Sequence, residues 1–259
     1  MRRRGQRGSR AWRDALVSGG VAALPAEVMI DDCEVAWTAS SGVLRTITTT
    51  PTAGGSGYQA GDILDVAGGV GGQVQVSTVD GGGAVTAIAG SAYSGGRGGY
   101  STGSGKATTG GHGSGCTIAV PSLLSPTASA SSLSPAEGAK AALVSPGSGM
   151  SPRSLLGYHA IAPGNLSGYT ALKLWYKSNA TVADDDRWLV CLCSDIAGRD
   201  VVDSFRLPAV ASNTWAEVTI EPEGGGPLDG DYQSIALYTG GTPPGATTQF
   251  RLDGIRAVL

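Results

Sequence analysis

Histidine, cysteine and charge are all scarce in this chain. Two histidines in 259 residues leave little room for imidazole catalysis or for metal sites, which draw on several such side chains. Four cysteines, Cys33, Cys116, Cys191 and Cys193, are too few and too scattered for a disulfide scaffold. Charged residues make up only 15%, so the solvent-facing surface has to be built largely from Ser, Thr and Gly. No apolar run reaches the roughly 18 residues that a membrane-spanning helix requires. These shortages disfavour an enzyme, a metalloprotein and a helical membrane protein.

Glycine, in contrast, is abundant. The 42 glycines and 13 prolines exceed ordinary usage yet fall short of collagen or low-complexity composition. With 41% hydrophobic residues the chain has enough apolar material for a core. The formal net charge of -3 hides an asymmetry. Arg2, Arg3, Arg4, Arg7, Arg10 and Arg13 face only Asp14 in the first 14 residues, whereas the remainder holds 12 basic and 20 acidic residues. A basic arm on an acidic body suits a phosphate backbone or an acidic neighbouring subunit, and suits equally a solvated tail. A secretory leader fits poorly, because Asp14 and Gly19-Gly20 interrupt the weakly apolar stretch that follows Arg2–Arg4. The six arginines stand as candidate partner-docking residues.

The middle of the chain is a block of its own. Residues 51–120 hold 22 of the 42 glycines and five charged residues, and no proline falls between Pro51 and Pro121. Inside lies a repeat offset by 42 residues: Gly57-Tyr58-Gln59-Ala60-Gly61 recurs as Gly99-Tyr100-Ser101-Thr102-Gly103, and Gly68-Gly69-Val70-Gly71 as Gly110-Gly111-His112-Gly113. Val74 and Val76 align with Cys116 and Ile118 in the same register. The β-branched runs Val74–Val79 and Ala84–Ile88 flank Asp80-Gly81-Gly82-Gly83, a strong turn signal. The block reads as a compact β domain in which each tyrosine lies over a glycine turn.

Residues 121–154, with ten serines and five prolines, read as surface loop. Alternation then takes over. Leu172, Leu174 and Tyr176 share one face, with Lys173 and Lys177 on the other. Trp188–Cys193 is apolar on both faces, as a central strand should be, which places Cys191 and Cys193 side by side as buried thiols. Further strands are expected at 205–207, 216–220, 235–238, 249–252 and 255–258, and one before the block, where Cys33, Val35 and Trp37 would share a face. Many short strands separated by turn signals predict an all-β sandwich.

Several segments carry a resemblance. Ile30-Asp31-Asp32-Cys33-Glu34-Val35-Ala36-Trp37, Leu166-Ser167-Gly168-Tyr169-Thr170, Leu174-Trp175-Tyr176-Lys177-Ser178, Phe205-Arg206-Leu207-Pro208, Trp215 and Phe250-Arg251-Leu252-Asp253-Gly254-Ile255 together resemble the galactose-binding-like jelly rolls of carbohydrate-binding modules and virion proteins. Gly55-Ser56-Gly57-Tyr58-Gln59-Ala60-Gly61-Asp62-Ile63-Leu64 resembles the Gly-Ser-Gly-Tyr-x-x-Gly-Asp modules of tailed-bacteriophage structural proteins. The expected organisation is a basic N-terminal arm (1–28), a jelly-roll-like β-sandwich (29–50 and 121–259, with 121–154 as loop) and an inserted glycine-rich β domain (51–120). Insertion between strands is cheap where the ends stay close together.

Known chemistry finds no foothold. Gly99–Ala107 imitates a phosphate-binding loop, but Tyr100 and Ala107 occupy positions that need Gly and Ser or Thr. Neither His112 nor His159 accompanies a nucleophile elbow, and no carboxylate pair carries a glycosidase fingerprint. Asp184-Asp185-Asp186 lacks the spacing of a calcium loop. Among five tryptophans, Trp175 is the candidate glycan platform, since it shares a face with Lys173 and Lys177; core packing is the default for the others.

The resemblances imply a non-enzymatic structural component of a tailed-phage virion, tail-associated (fibre, collar or baseplate) or capsid-decorating, assembled in the host cytoplasm. Its partners would be other virion proteins and further copies of itself. No cofactor, metal, membrane or nucleic-acid partner is expected. The alternative is a carbohydrate-binding or adhesin module that recognises surface glycans. A weaker third reading is the non-catalytic part of a secreted glycan hydrolase.

Overall fold

The computed structural model describes residues 24–147, 150–182, 187–228, 230–243 and 248–259. The six arm arginines, Trp12 and Asp184–Asp186 lie outside them. The described residues form strands and no helix. In chain order, β1 (Glu27–Asp31), β2 (Thr38–Ala39) and β3 (Val43–Thr46) come first. The glycine-rich block supplies β4 (Ala53–Ser56), β5 (Ile63–Val66), β6 (Gln73–Val79), β7 (Val85–Ile88), β8 (Gly103–Thr109) and β9 (Ser114–Val120). Next are β10 (Ser122–Leu124), β11 (Thr127–Ser131), β12 (Ala141–Ser145), β13 (Leu155–Asn165) and β14 (Ala171–Ser178). The chain closes with β15 (Trp188–Cys193), β16 (Val201–Arg206), β17 (Ala216–Ile220), β18 (Asp231–Thr239) and β19 (Phe250–Val258).

Two sheets make a sandwich. One runs β11-β12-β19-β14-β17 with β1 beside the far end of β19, and the other runs β16-β15-β18-β13-β2. All of their ladders are antiparallel. Strands β12 to β19 divide between the sheets in the orders 12-19-14-17 and 13-18-15-16, the chain changing sheet at every step except β15 to β16, the eight-stranded double Greek key of a jelly roll. The alternation along β14 does what its sequence predicts: Leu172, Leu174 and Tyr176 are buried while Lys173, Trp175 and Lys177 face outward and are half-covered. Between the sheets Trp188 stacks on Phe250 at 4.7 Å and Tyr176 on Phe250 at 5.8 Å. Offset aromatic contacts of this kind add to burial energy.

Two expectations need correction. Residues 121–154 are not all loop, since β10, β11 and β12 lie within them. In β11, Ala128 and Ala130 sit among serines, so small residues leave little contrast between its faces, and in β10 and β12 the two large apolar residues are adjacent (Leu123-Leu124, Leu143-Val144) and set no alternation. Nor does a strand run through Val35. The Asp31 carboxylate accepts from the Cys33 amide at 2.8 Å and Cys33 adopts a left-handed φ of 56°. The chain turns there, leaving Cys33 and Trp37 buried but Val35 59% exposed.

The glycine-rich block forms its own sheet in the order β4-β9-β8-β5-β6-β7. Its repeat becomes a pseudo-two-fold: the hairpin β5–β6 and its copy β8–β9 meet along β5 and β8. The outer strands approach each other as well, with Tyr58 N donating to Gly83 O at 2.9 Å and Ile88 N to Thr49 O at 2.7 Å. The sheet therefore curls most of the way to closure around a second, separate core. The tyrosines are exchanged. The Tyr58 ring lies on Gly113, where an added Cβ would fall 2.6 Å from it, and Tyr100 lies on Gly69 and Gly72. Each aromatic thus covers the glycines of the other copy, and only glycine leaves room for it. Each hydroxyl caps a main-chain amide there, Cys116 N to Tyr58 at 3.2 Å and Gly72 N to Tyr100 at 2.7 Å.

Chain entry and exit run side by side. β3 pairs with β10 (Leu44 with Leu123, Val43 with Leu124). Successive strand residues point opposite ways, so Val43 and Leu124 pack into the sandwich core while Leu44 packs into that of the block. Ile47 also joins the block's core, which therefore reaches outside residues 51–120.

Candidate functional site

The two modules touch a second time through Gly95-Gly96-Arg97-Gly98-Gly99. Gly95 N donates to Pro152 O at 2.9 Å and Leu155 N to Gly96 O at 3.0 Å. A Cβ on Gly95 would run into the Ser154 hydroxyl, and one on Gly98 would come 2.6 Å from Ser41 O. Gly96 has a φ of 77°. Close backbone approach on two sides, with a left-handed residue between, is a role that glycine fills without strain.

This joint leaves two adjoining grooves that meet at Arg153. One, of about 280 Å³, has Gln75, Ser91, Tyr93 and Arg153 in its wall. The other, of about 330 Å³, lies between the block and the outward side of β15, β16 and β18, and includes Gln73, Ser94, Arg97, Arg153 and Ser204. Tyr93 is 42% exposed, and the Arg153 guanidinium lies 6.0 Å from its ring centre, within cation–π range. Arg153 itself adopts a left-handed φ of 52°. A strained backbone persists where its surroundings over-determine it, and here they do. Thr239 Oγ1 and Ser154 Oγ both donate to Ser151 O at 2.8 Å, and Ser154 N donates to Thr239 Oγ1 at 2.8 Å. Ser151, Ser154 and Thr239 are all buried. Arg97 is held by its Nη1 donating to Arg199 O at 2.5 Å, on the β15–β16 loop that folds over the same sheet face.

Cys191 borders this groove. Burial pushes its thiol well above the ordinary value of 9.0 and pushes that of Cys193 up to about 12. A thiol held protonated is a poor nucleophile. All four cysteines are buried and free, and Cys191 and Cys193 share the strand face expected of them. Among the described residues no cluster of His, Cys, Asp or Glu could hold a metal ion.

Trp175 lies on the opposite, outward face of the other sheet. The segment 134–140 crosses that face: Trp175 Nε1 donates to Glu137 Oε1 at 3.2 Å, Trp215 Nε1 to Ser134 O at 2.8 Å, and the amides of Ala136 and Glu137 to Asp253 at 2.9 and 2.8 Å. Lys173 bridges Glu27 and Glu217, each at 3.3 Å, and Arg256 pairs with Glu137. Trp175 is consequently half-buried within a network of ion pairs, far from the joint. His159 bonds Asp31 at 2.8 Å and His112 bonds Asp62 at 2.7 Å. Both histidines fasten neighbouring segments together.

Sequence reading missed Tyr93, Arg97 and Arg153 as a group. Arg153 sits in a Ser-Pro-Arg-Ser stretch, and nothing in the linear pattern sets it against Tyr93. The one signal present was Gly95-Gly96-Arg97-Gly98-Gly99, a doubled glycine pair around a lone charge.

No protein-family model and no curated protein matches the chain. Among solved structures it is similar to the family 11 carbohydrate-binding module of the cellulosomal cellulase Lic26A-Cel5E of Clostridium thermocellum, at 14% identity and a TM-score of 0.35, over 52% of this chain and 82% of that one. It is similar also to an arabinose-bound α-L-arabinofuranosidase, at 16% identity and 0.36, over 51% of this chain and 22% of that one. A further match is a carbohydrate-binding module of the β-sandwich superfamily, at 11% and 0.30, over 90% and 98%. Scores this low transfer neither ligand nor site, and the jelly roll stands on the chain's own strand order.

Proposed function

We propose that this chain is a non-enzymatic carbohydrate-binding protein whose site is the groove between the jelly roll and the glycine-rich module. The observation that carries the reading is Tyr93, an exposed aromatic ring at the joint, among side chains that offer hydrogen bonds. A sugar ring has an apolar C–H face and a rim of hydroxyls. The first packs on an aromatic surface with a polar edge, and the second needs mixed donors and acceptors, which Gln75 and Ser91 offer in the wall of the groove beside Tyr93. The groove volumes bracket the lower end of the range for small-molecule sites, about 300 Å³ and upward.

The test is a glycan array followed by calorimetry on wild type and Tyr93→Ala. A tenfold or greater loss of affinity in the variant is expected. Binding that survives Tyr93→Ala removes the groove, and an array with no bound glycan removes the function.

A second reading is kept: a structural component of a tailed-phage virion, tail-associated or capsid-decorating, acting through subunit contacts. What favours it is the module with exchanged tyrosines, built on the Gly-Ser-Gly-Tyr-x-x-Gly-Asp segment that resembles phage structural proteins. A particle protein that also binds surface glycans would satisfy both readings. Light scattering on the full chain and on a chain without residues 1–14 separates them. An oligomer lost on truncation makes Arg2, Arg3, Arg4, Arg7, Arg10 and Arg13 assembly residues, whereas a monomer in both cases argues against self-assembly.

A further inference from the structure

We infer that the glycan bound at the joint carries carboxylate groups, as uronic or sialic acid polymers do; this rests on the carbohydrate-binding reading of the same groove. The charged side chains lining the two grooves are Arg97 and Arg153, and no carboxylate lines either one. Neither arginine has an ion-pair partner among the described residues: Arg97 donates to a main-chain carbonyl and Arg153 lies beside a tyrosine ring. The neighbouring acids are already engaged. Glu223 is taken by Arg206 and by Ser204, whose hydroxyl donates to it at 2.6 Å. Asp195 accepts from the amides of Arg199 and Asp200 at 2.7 and 2.9 Å.

In a chain whose net charge is -3, two guanidiniums left without acids in one groove mark a site of opposite polarity to its surroundings. A guanidinium fork matches the two oxygens of a carboxylate, and such bonds are stronger than those between neutral groups. The backbone of Arg153 is fixed in an unusual conformation by a buried serine–threonine network, so its side chain is presented from a rigid base. Tyr93 would then take the C–H face of one sugar, with the acid of that sugar or the next directed to an arginine. A neutral glycan would leave both charges without a partner.

The experiment pairs acidic polymers with counterparts in which the acid is removed. Polygalacturonate, alginate and a sialylated oligosaccharide are each titrated against their carboxyl-reduced or methyl-esterified forms. Wild type is expected to bind at least one acidic polymer ten or more times better than its capped form, with affinity falling as salt rises. Arg153→Gln, which removes the charge and leaves the module joint alone, should erase that preference, and Arg97→Lys should retain part of it. Equal binding of acidic and capped forms overturns this inference while keeping the carbohydrate-binding reading. Binding only to neutral glycans on the array does the same, and no binding to any glycan overturns both. Thermal melting of each variant identifies a loss that comes from unfolding.

Discussion

The jelly roll and the glycine-rich module fill their interiors by opposite means. In the jelly roll, large side chains bridge two sheets, and Trp188, Phe250 and Tyr176 form a stacked column at the centre. Sheets packed face to face lie about 10 Å apart, so side chains have to span that gap. In the module a single curled sheet leaves far less room. Its two buried tyrosines, Tyr58 and Tyr100, fit because glycines let the rings lie directly on backbone. A core can thus be closed by enlarging side chains or by deleting them from the opposing wall, and the second route places strict demands on particular glycines.

Substitutions should separate the two designs, beginning with the most damaging. Trp188→Ala opens a cavity in the jelly roll and should cost about 3–5 kcal/mol, read as a lowered denaturation midpoint. Gly113→Ala adds a single methyl, yet it meets the Tyr58 ring and Ser56 O. A loss of about 1–3 kcal/mol is expected. Hydrogen exchange should show that loss at Leu64 and Cys116 while Val190 and Leu237 keep their protection. Equal loss in both sets would mean that the modules unfold as one unit, and the contrast would fail. Tyr100→Phe keeps the ring but strands the Gly72 amide, for about 1–2 kcal/mol. If it costs nothing, ring coverage alone closes that core.

Acidity should sort the modules in opposite directions, with smaller effects. Amides of Gln59 and His112, then the His112 ring, hold Asp62 down from 3.8 to about 2. Its support of the module is complete above pH 3.8 and is lost as pH falls toward 2. His159 is raised above 6.5, first by its hydrogen bond to Asp31, against the opposing effect of burial. Its support of the jelly roll is complete below pH 6.5 and is lost as pH climbs through the raised value. Protection factors, observed exchange corrected for the intrinsic pH dependence, should therefore fall first in the module on acidification and first around His159 on mild alkalisation. His159→Gln should flatten the second trend. A trend that persists in that variant belongs to another group.

Much of this contrast was legible in the chain. Period-two alternation marked β14 and β17, and the two-sided apolar run of Trp188–Cys193 marked a central strand, because burial acts directly on side-chain character. The 42-residue repeat foretold a compact β domain with tyrosines over glycines. It did not foretell that each tyrosine covers the other copy, since exchange is decided by which strands pair in space. β11 escaped notice because alanine and serine differ too little in size and polarity, and β12 because its Leu143 and Val144 are adjacent and set no alternation. The expected strand through Val35 failed where one carboxylate, Asp31, captured a backbone amide and turned the chain. The groove escaped for a different reason. Tyr93 and Arg153 lie 60 positions apart along the sequence, and the packing of the two modules brings them together.

The β3–β10 ladder has a consequence for kinetics. Because Val43 and Leu44 insert into different cores, neither module can swing about the other without withdrawing a packed side chain. The gap between them is set when the protein folds, before any ligand arrives. Under the proposed reading, a glycan entering it would meet no closing step and little conformational entropy left to lose. Association should then proceed in a single phase, limited by encounter and steered by charge, and differences among ligands should lie in how long each one stays.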